Sequence, residues 1–259
     1  MDLRSIPCEF APPLGWAARL GLIVLASDHT IEFEWRSLVD AAARACGGPD
    51  SVALYAARIP NDPEITPETL AAMDGRIAQT ADLLTPGVDC DVIAYGCTSA
   101  AMVLGSERVA KRVHSVRPGA RVTDPAEAAV AAFEALGVRR LAMLTPYSAA
   151  LNEGLRAGFQ ARGLDIPKMG SFGIGNDNDV ARIAPASVAA AARDLGGDPE
   201  VEAVFVSCTS IRLIEVVDAL EDALGKPVVS SNMALGWRAL RLAGIDAPLE
   251  GFGRLFREA

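Results

Sequence analysis

Two hydrophobic patterns alternate along the chain. Short, largely apolar runs predict strands at 20–25, 52–57, 92–95, 121–123, 141–144, 204–207 and 228–230. Between them, Ala-rich segments with apolar residues at helical spacing predict helices over 32–45, 67–84, 99–116, 125–136, 149–162, 186–195, 211–224 and 233–243. Asp124 ahead of Pro125 reads as an N-cap followed by proline at the first helical position, and Gly137 stands where a glycine ends a helix. Strand–helix alternation of this kind predicts an α/β fold of parallel sheets covered by helices.

An internal repeat refines that picture. VDCDVIAYGCTS (88–99) aligns without a gap on PEVEAVFVSCTS (199–210), and VTDPAEAAVAAFEALGV (122–138) aligns on VSSNMALGWRALRLAGI (229–245). RLGLIVLASD (19–28) likewise resembles RRLAMLTPYS (139–148). The matches occur in the same order, so the chain reads as two pseudo-symmetric α/β halves. The expected division is 1–124 with 231–259, against 125–230. Ligands bind outside the carboxyl ends of parallel strands, which predicts a site in the cleft between the halves.

Composition narrows the function classes. With 259 residues, 51% of them hydrophobic, the chain can bury a substantial core. A formal charge of −9 argues against nucleic acid as a partner, and the basic stretch RVAKRVHSVR (108–117) reads as a solvated helix face. No apolar run approaches the roughly 20 residues of a membrane span, and the N-terminal segment lacks a signal-peptide core, so a cytoplasmic setting is expected. The five cysteines (8, 46, 90, 97 and 208) are then free thiols, and their spacing matches no zinc pattern.

Cys97 and Cys208 hold matching positions, each at a strand end and each followed by Thr-Ser. A thiol at a strand-to-helix turn is expected to have its pKa lowered by the helix amides. The hydroxyls of Thr98, Ser99, Thr209 and Ser210 are candidates for a carboxylate cradle. Two opposed thiols can remove a proton α to a carboxylate on one face and deliver one to the other. Alternatively, one thiolate can add to a double bond and let it rotate. Taken singly, a cysteine ending a strand is an ordinary buried residue; Cys8, Cys46 and Cys90, which lack the paired context, read as structural. A decarboxylase on the same scaffold, or a two-lobed small-molecule binder, are the competing classes.

At RLGLIVLASDHTIE, YGCTS, LTPYSAALN, FGIGNDNDVARI and VSCTS the chain resembles the aspartate/glutamate racemase superfamily. The branch is that of maleate cis-trans isomerase, arylmalonate decarboxylase and the ectoine-utilisation protein EutA. The resemblance implies two flavodoxin-like halves, an isomerase acting on a small carboxylic acid or amino-acid derivative, no cofactor or metal, and a homodimer or higher homo-oligomer. It implies Cys97 and Cys208 as the catalytic pair, Tyr147 as a carboxylate contact, and Asn178, or in another register Asn176, as a second. Retention of both cysteines separates the chain from arylmalonate decarboxylase, which keeps the second alone. Asp28 stands where maleate isomerases have asparagine, which favours a substrate ammonium or amide over a second carboxylate; it is equally placed to cap the following helix. His29 reads as a turn residue, His114 as solvent-facing, and 170–179 as a loop covering the substrate.

Overall fold

The computed structural model describes residues 3–259. In chain order the first half contains β1 (Ala18–Leu25), α1 (Ile31–Ala45), β2 (Val52–Ile59), α2 (Pro67–Ala71), α3 (Ile77–Asp82), β3 (Val92–Gly96), α4 (Thr98–Leu104), α5 (Ser106–His114) and β4 (Arg121–Thr123). There follow α6 (Pro125–Ala135), β5 (Arg140–Thr145), α7 (Ala149–Gln160), β6 (Asp165–Ser171), α8 (Asp177–Val180), α9 (Pro185–Gly196) and β7 (Ala203–Val206). The chain ends with α10 (Val217–Leu224), β8 (Val228–Ser230), α11 (Ser231–Leu242) and α12 (Gly253–Glu258).

The strands form two separate four-stranded parallel sheets, in the orders β2-β1-β3-β4 and β6-β5-β7-β8. This is the same doubly wound order in each half, as the repeat predicts. The central strands are buried on both faces: every residue of β3 (VIAYG) and of β7 (AVFV) is inaccessible. That explains why they read as unbroken apolar runs. The edge strand β6, DIPKMGS, lacks an apolar pattern and is an addition to the predicted strands. An edge strand tolerates Pro167, and the pairing register with β5 shifts there.

The helices that follow each sheet cross over. Phe133 of α6 packs edge-to-face on Phe205 of β7 at 5.7 Å, and Phe159 of α7 meets the same ring at 5.4 Å. Conversely, α11 lies against β3, β4 and α1, where Trp35 Nε1 donates to the Asn232 carbonyl at 3.1 Å. The C-terminal helix α12 rests on α10, β8 and α11: Arg257 pairs with Asp218 and Glu221, the Arg254 amide donates to Glu221, and Trp237 and Arg241 of α11 donate to the Ala259 carbonyl.

Three predicted helices are interrupted. The 99–116 helix breaks at Gly105, whose φ of +83° leaves the helical region. The 67–84 helix becomes α2, a 3-10 turn (Asp74–Arg76) and α3. Asp74 is drawn down between Arg108 and Arg112 and accepts from both guanidinium groups, so the basic stretch on α5 is not simply solvated. The third interruption follows Cys208. Asp124 caps α6 as expected, accepting from the Ala126 and Glu127 amides at 2.9 and 3.1 Å. Among the described residues no helix is long and apolar enough to cross a membrane.

Candidate active site

Cys97 follows β3 and Cys208 follows β7, the equivalent strands of the two sheets, and both side chains line one cavity between the halves. Leu25, Ser99, Tyr147, Asp177 and Thr209 complete its inner wall. Gly96 lets the first turn form: a Cβ there would lie 2.9 Å from the Ile23 carbonyl oxygen. The cavity is about 20 Å³, room for about one water molecule, so a substrate enters only when the walls part. Segments from the two halves meet across it. The Ile65 amide donates to the Gly175 carbonyl and the Asp177 amide to the Pro63 carbonyl, each at 2.9 Å, and Asn176 Nδ2 donates to Glu64 at 2.8 Å. The loop expected to cover the substrate thus lies over the cleft.

The two cysteine turns differ in what holds them. Cys97 caps α4 directly, with its sulfur 3.7 Å from the Ser99 hydroxyl. Cys208 has no helix immediately behind it, contrary to the expected 211–224 helix; a 3-10 turn (Ile214–Val216) and then α10 come later. The loop is capped instead by Glu34, from the other half. Its Oε1 accepts from the Leu213 and Ile214 amides at 2.7 and 3.0 Å, and Oε2 accepts from Asn232 Nδ2 at 2.7 Å. Asn232 Nδ2 also donates to the Thr209 carbonyl at 2.8 Å, tying the cap to the cysteine turn. Glu34 is fully buried, which raises its carboxyl pKa against those hydrogen bonds. Glu34→Ala leaves three buried donors unsatisfied and is expected to cost about 3 kcal/mol or more, read by urea denaturation. Glu34→Gln keeps one acceptor oxygen and should lose less; equal losses would show that the cap contributes nothing.

Burial, not the helix amides, dominates the thiols. Cys97 is pushed up to about 12 by desolvation, and the Asp177 and Asp28 carboxyls add to the rise. Cys208 is raised further by the same burial and by Asp177. The expected lowering does not occur, and both thiols are neutral at pH 7 in this closed arrangement. Tyr147, its phenol beside Cys208 and Ser99, is likewise held protonated by burial. Its backbone carbonyl is anchored by Asn152 and Ser171 at 3.0 and 2.6 Å.

Asp28 performs the capping role its position allows. Oδ1 accepts from the Thr30 and Ile31 amides at 2.7 and 2.9 Å, starting α1, whereas the buried Oδ2 has no partner. The Thr209 hydroxyl beside it turns to the Gly96 carbonyl at 3.3 Å. Desolvation and the neighbouring Asp177 outweigh the two amides and raise the Asp28 carboxyl to about 7. Asp177 accepts from the Ser27 and Ser210 hydroxyls at 2.5 and 2.9 Å, and burial raises its pKa too. Ser27 is held in turn by Asn61 Nδ2 at 2.8 Å.

Several expected contacts fall elsewhere. Asn178 is exposed and faces His29 Nε2 at 3.0 Å, outside the cavity, and Asn176 caps α8 and clasps Glu64. The residue between them, Asp177, is the one turned inward. Ser210 holds Asp177, and the Thr98 hydroxyl donates to Ser231 at 2.8 Å, so neither hydroxyl is free for a carboxylate. His114 is exposed, as expected, with its Nε2 3.0 Å from the Ala120 carbonyl oxygen. Asp177, on the cavity wall, and Glu34, which caps the Cys208 loop, are residues of this site that the sequence reading misses. Glu34 carries a signal, since it lies one turn from Ile31 and from Leu38 on the buried face of α1.

The family model described as arylmalonate decarboxylase matches residues 55–256. A maleate isomerase of Nocardia farcinica (strain IFM 10152) is 30% identical over 252 residues, covering 93% of this chain and 96% of the relative. Among solved structures, the maleate isomerase Iso of Pseudomonas putida S16, a cysteine-to-alanine variant with maleate, superposes with a TM-score of 0.84. It is 25% identical and covers 93% of this chain and 98% of that one. The N. farcinica maleate cis-trans isomerase, a cysteine-to-serine variant with a covalently bound succinylcysteine intermediate, gives a TM-score of 0.82 at 28% identity, over 93% and 99% of the two chains. With its paired sheets and its two cysteine turns on one cavity, the chain belongs to the arylmalonate decarboxylase family, alongside maleate isomerases in the Asp/Glu racemase-like superfamily.

Proposed function

We propose that the protein is a cofactor-independent isomerase of a small carboxylic acid or amino-acid derivative, with Cys97 and Cys208 as its catalytic pair. The observation that carries this reading is the placement of two thiols from equivalent strand ends on one enclosed cavity. A thiol of pKa near 12 becomes a base only by passing its proton on, and the carboxyls of Asp28 and Asp177 are the acidic groups that act on both sulfurs. One thiolate then takes the α-proton of the substrate while the other thiol protonates the opposite face. Ser99 and Tyr147 offer hydroxyls to the substrate carboxylate; Thr98, Thr209 and Ser210, bonded to Ser231, the Gly96 carbonyl and Asp177, position the turns around it.

Cis-trans isomerisation by thiolate addition is the second reading, favoured by the succinylcysteine in the N. farcinica relative. A panel of small acids incubated in D₂O and followed by NMR separates the two. Deuterium appearing at an α-carbon is the expected result. A cis-to-trans change without exchange would select the second reading, and CO₂ loss would reassign the protein as a decarboxylase.

The same proposal divides the chain into 1–124 with 231–259, and 125–230. It includes a cytoplasmic setting, which suits five free cysteines, and a homodimer or higher oligomer. The exposed Leu3, Ile6, Phe10 and Leu14 near the N-terminus support association, which light scattering reads directly.

A further inference from the structure

The two cysteine turns are matched by the repeat but not by what holds them. The Cys97 turn is completed locally: the Cys97 carbonyl accepts from the Ala101 amide at 3.0 Å, in the first turn of α4. The Cys208 turn is completed by residues outside its own half. Thr30 Oγ1 donates to the Ser210 carbonyl at 2.9 Å, and Glu34 Oε1 accepts from the Leu213 and Ile214 amides. Asn232 Nδ2 joins the same Glu34 carboxyl to the Thr209 carbonyl, and Trp35 Nε1 holds the Asn232 backbone. Thr30, Glu34 and Asn232 are each no more than 1% exposed and lie behind the cavity wall, not on it. The repeat supplies no such brace to Cys97. It aligns Asn232 with Pro125, and the offset that matches 19–28 to 139–148 sets Gly154 opposite Glu34. Neither counterpart has a side chain able to hydrogen-bond.

We propose that Glu34, acting with Asn232, is a positioning residue for the reaction: it fixes the Cys208 sulfur on one face of the substrate and has no part in placing Cys97. The assignment rests on the isomerase reading of the cleft. Without a helix directly behind Cys208, the buried amides and carbonyls of 209–214 have no helical partners to orient them. One carboxyl oxygen shared by two successive amides supplies that orientation, as a capping side chain does for a helix end. Proton transfer needs sulfur and carbon about 3–3.5 Å apart, and a displacement of about 1 Å costs on the order of a hundredfold in rate. Loss of the brace therefore acts on one thiol, whereas a residue serving stability alone acts on both.

Alkylation of the full chain by iodoacetamide, with Cys97 and Cys208 read in separate peptides by mass spectrometry, tests the brace without a substrate. Glu34→Ala is expected to raise alkylation of Cys208 about tenfold relative to Cys97, because only the loop around Cys208 loosens. Glu34→Gln keeps the acceptor for the two loop amides, loses the bond from Asn232, and should stay within about threefold of the wild-type ratio. Asn232→Ala removes the link to the Thr209 carbonyl and should shift the ratio as Glu34→Ala does, so the test does not depend on how well Glu34→Ala folds. Turnover gives the second readout. Each enantiomer of a chiral substrate gives its proton to one sulfur, so Glu34→Ala should slow exchange in D₂O about a hundredfold from one enantiomer and less than about threefold from the other, the loss falling on kcat and not on KM. An unchanged alkylation ratio in both alanine variants, or equal losses from the two enantiomers, would overturn the proposal. A shifted ratio with no exchange on any small acid would support the brace and refute the isomerase reading; an unshifted ratio in a protein that exchanges would refute the brace alone.

Discussion

Cys97→Ser and Cys208→Ser are each expected to lower inversion at the α-carbon by about three to four orders of magnitude, with the fold unchanged. Burial already holds the Cys97 thiol at about 12 and Cys208 above it. A serine hydroxyl is a weaker acid by several units in the same surroundings, so neither carboxyl can take its proton. The packing change is small, since the sulfur contacts are a 3.7 Å approach to Ser99 and a 3.4 Å bond from the Ser210 amide. Each thiol serves one face of the substrate, so either substitution removes inversion in both directions. Cys46→Ser, at the C-terminal end of α1 and away from the cavity, is the control that retains activity. Either cleft variant keeping more than about a tenth of the wild-type inversion rate would show that its sulfur carries no proton in the reaction.

The features legible in the sequence are those governed by local pattern. Central strands are buried on both faces, so β1, β3, β5 and β7 stand out as apolar runs, and duplication exposes Cys97 and Cys208 by repeating their context. What escapes is set by the other half of the molecule or by a neighbouring strand. β6 is a strand because β5 offers it an edge, although its sequence carries Pro167 and Lys168. The chain behind Cys208 stays irregular because Glu34, from α1, satisfies the amides a helix turn would have used. In GNDND four consecutive polar residues compete, and composition alone does not choose among them. The Asn176 cap and the clasp to Pro63 turn Asp177 inward and leave Asn178 in solvent. The thiol pKa shifts escape for a related reason: the turn is visible in the sequence, but the depth of its burial depends on closure of the two halves.

Asp28→Asn is expected to make the protein more stable at pH 8 by about 2–4 kcal/mol, a rise of about 5–10 °C in melting temperature, while the gain disappears near pH 4. The wild-type carboxyl titrates near 7 when folded, against 3.8 as its ordinary value. Between those values the folded chain holds a proton the unfolded chain has released, so stability falls as pH rises from about 4 to about 7. Above that range the whole penalty is present. Three units correspond to about 4 kcal/mol at most, and relaxation of the site reduces it. The amide keeps the acceptor for Thr30 and Ile31 and carries no charge, so the variant loses this slope. Glu34 and Asp124 are also raised, but they are common to both proteins and cancel in the difference, whereas the repulsion between Asp177 and Asp28 is part of the penalty the variant removes. Thermal melts of the two proteins at pH 4, 6 and 8 check the sign, and equal melting temperatures at pH 8 would refute it.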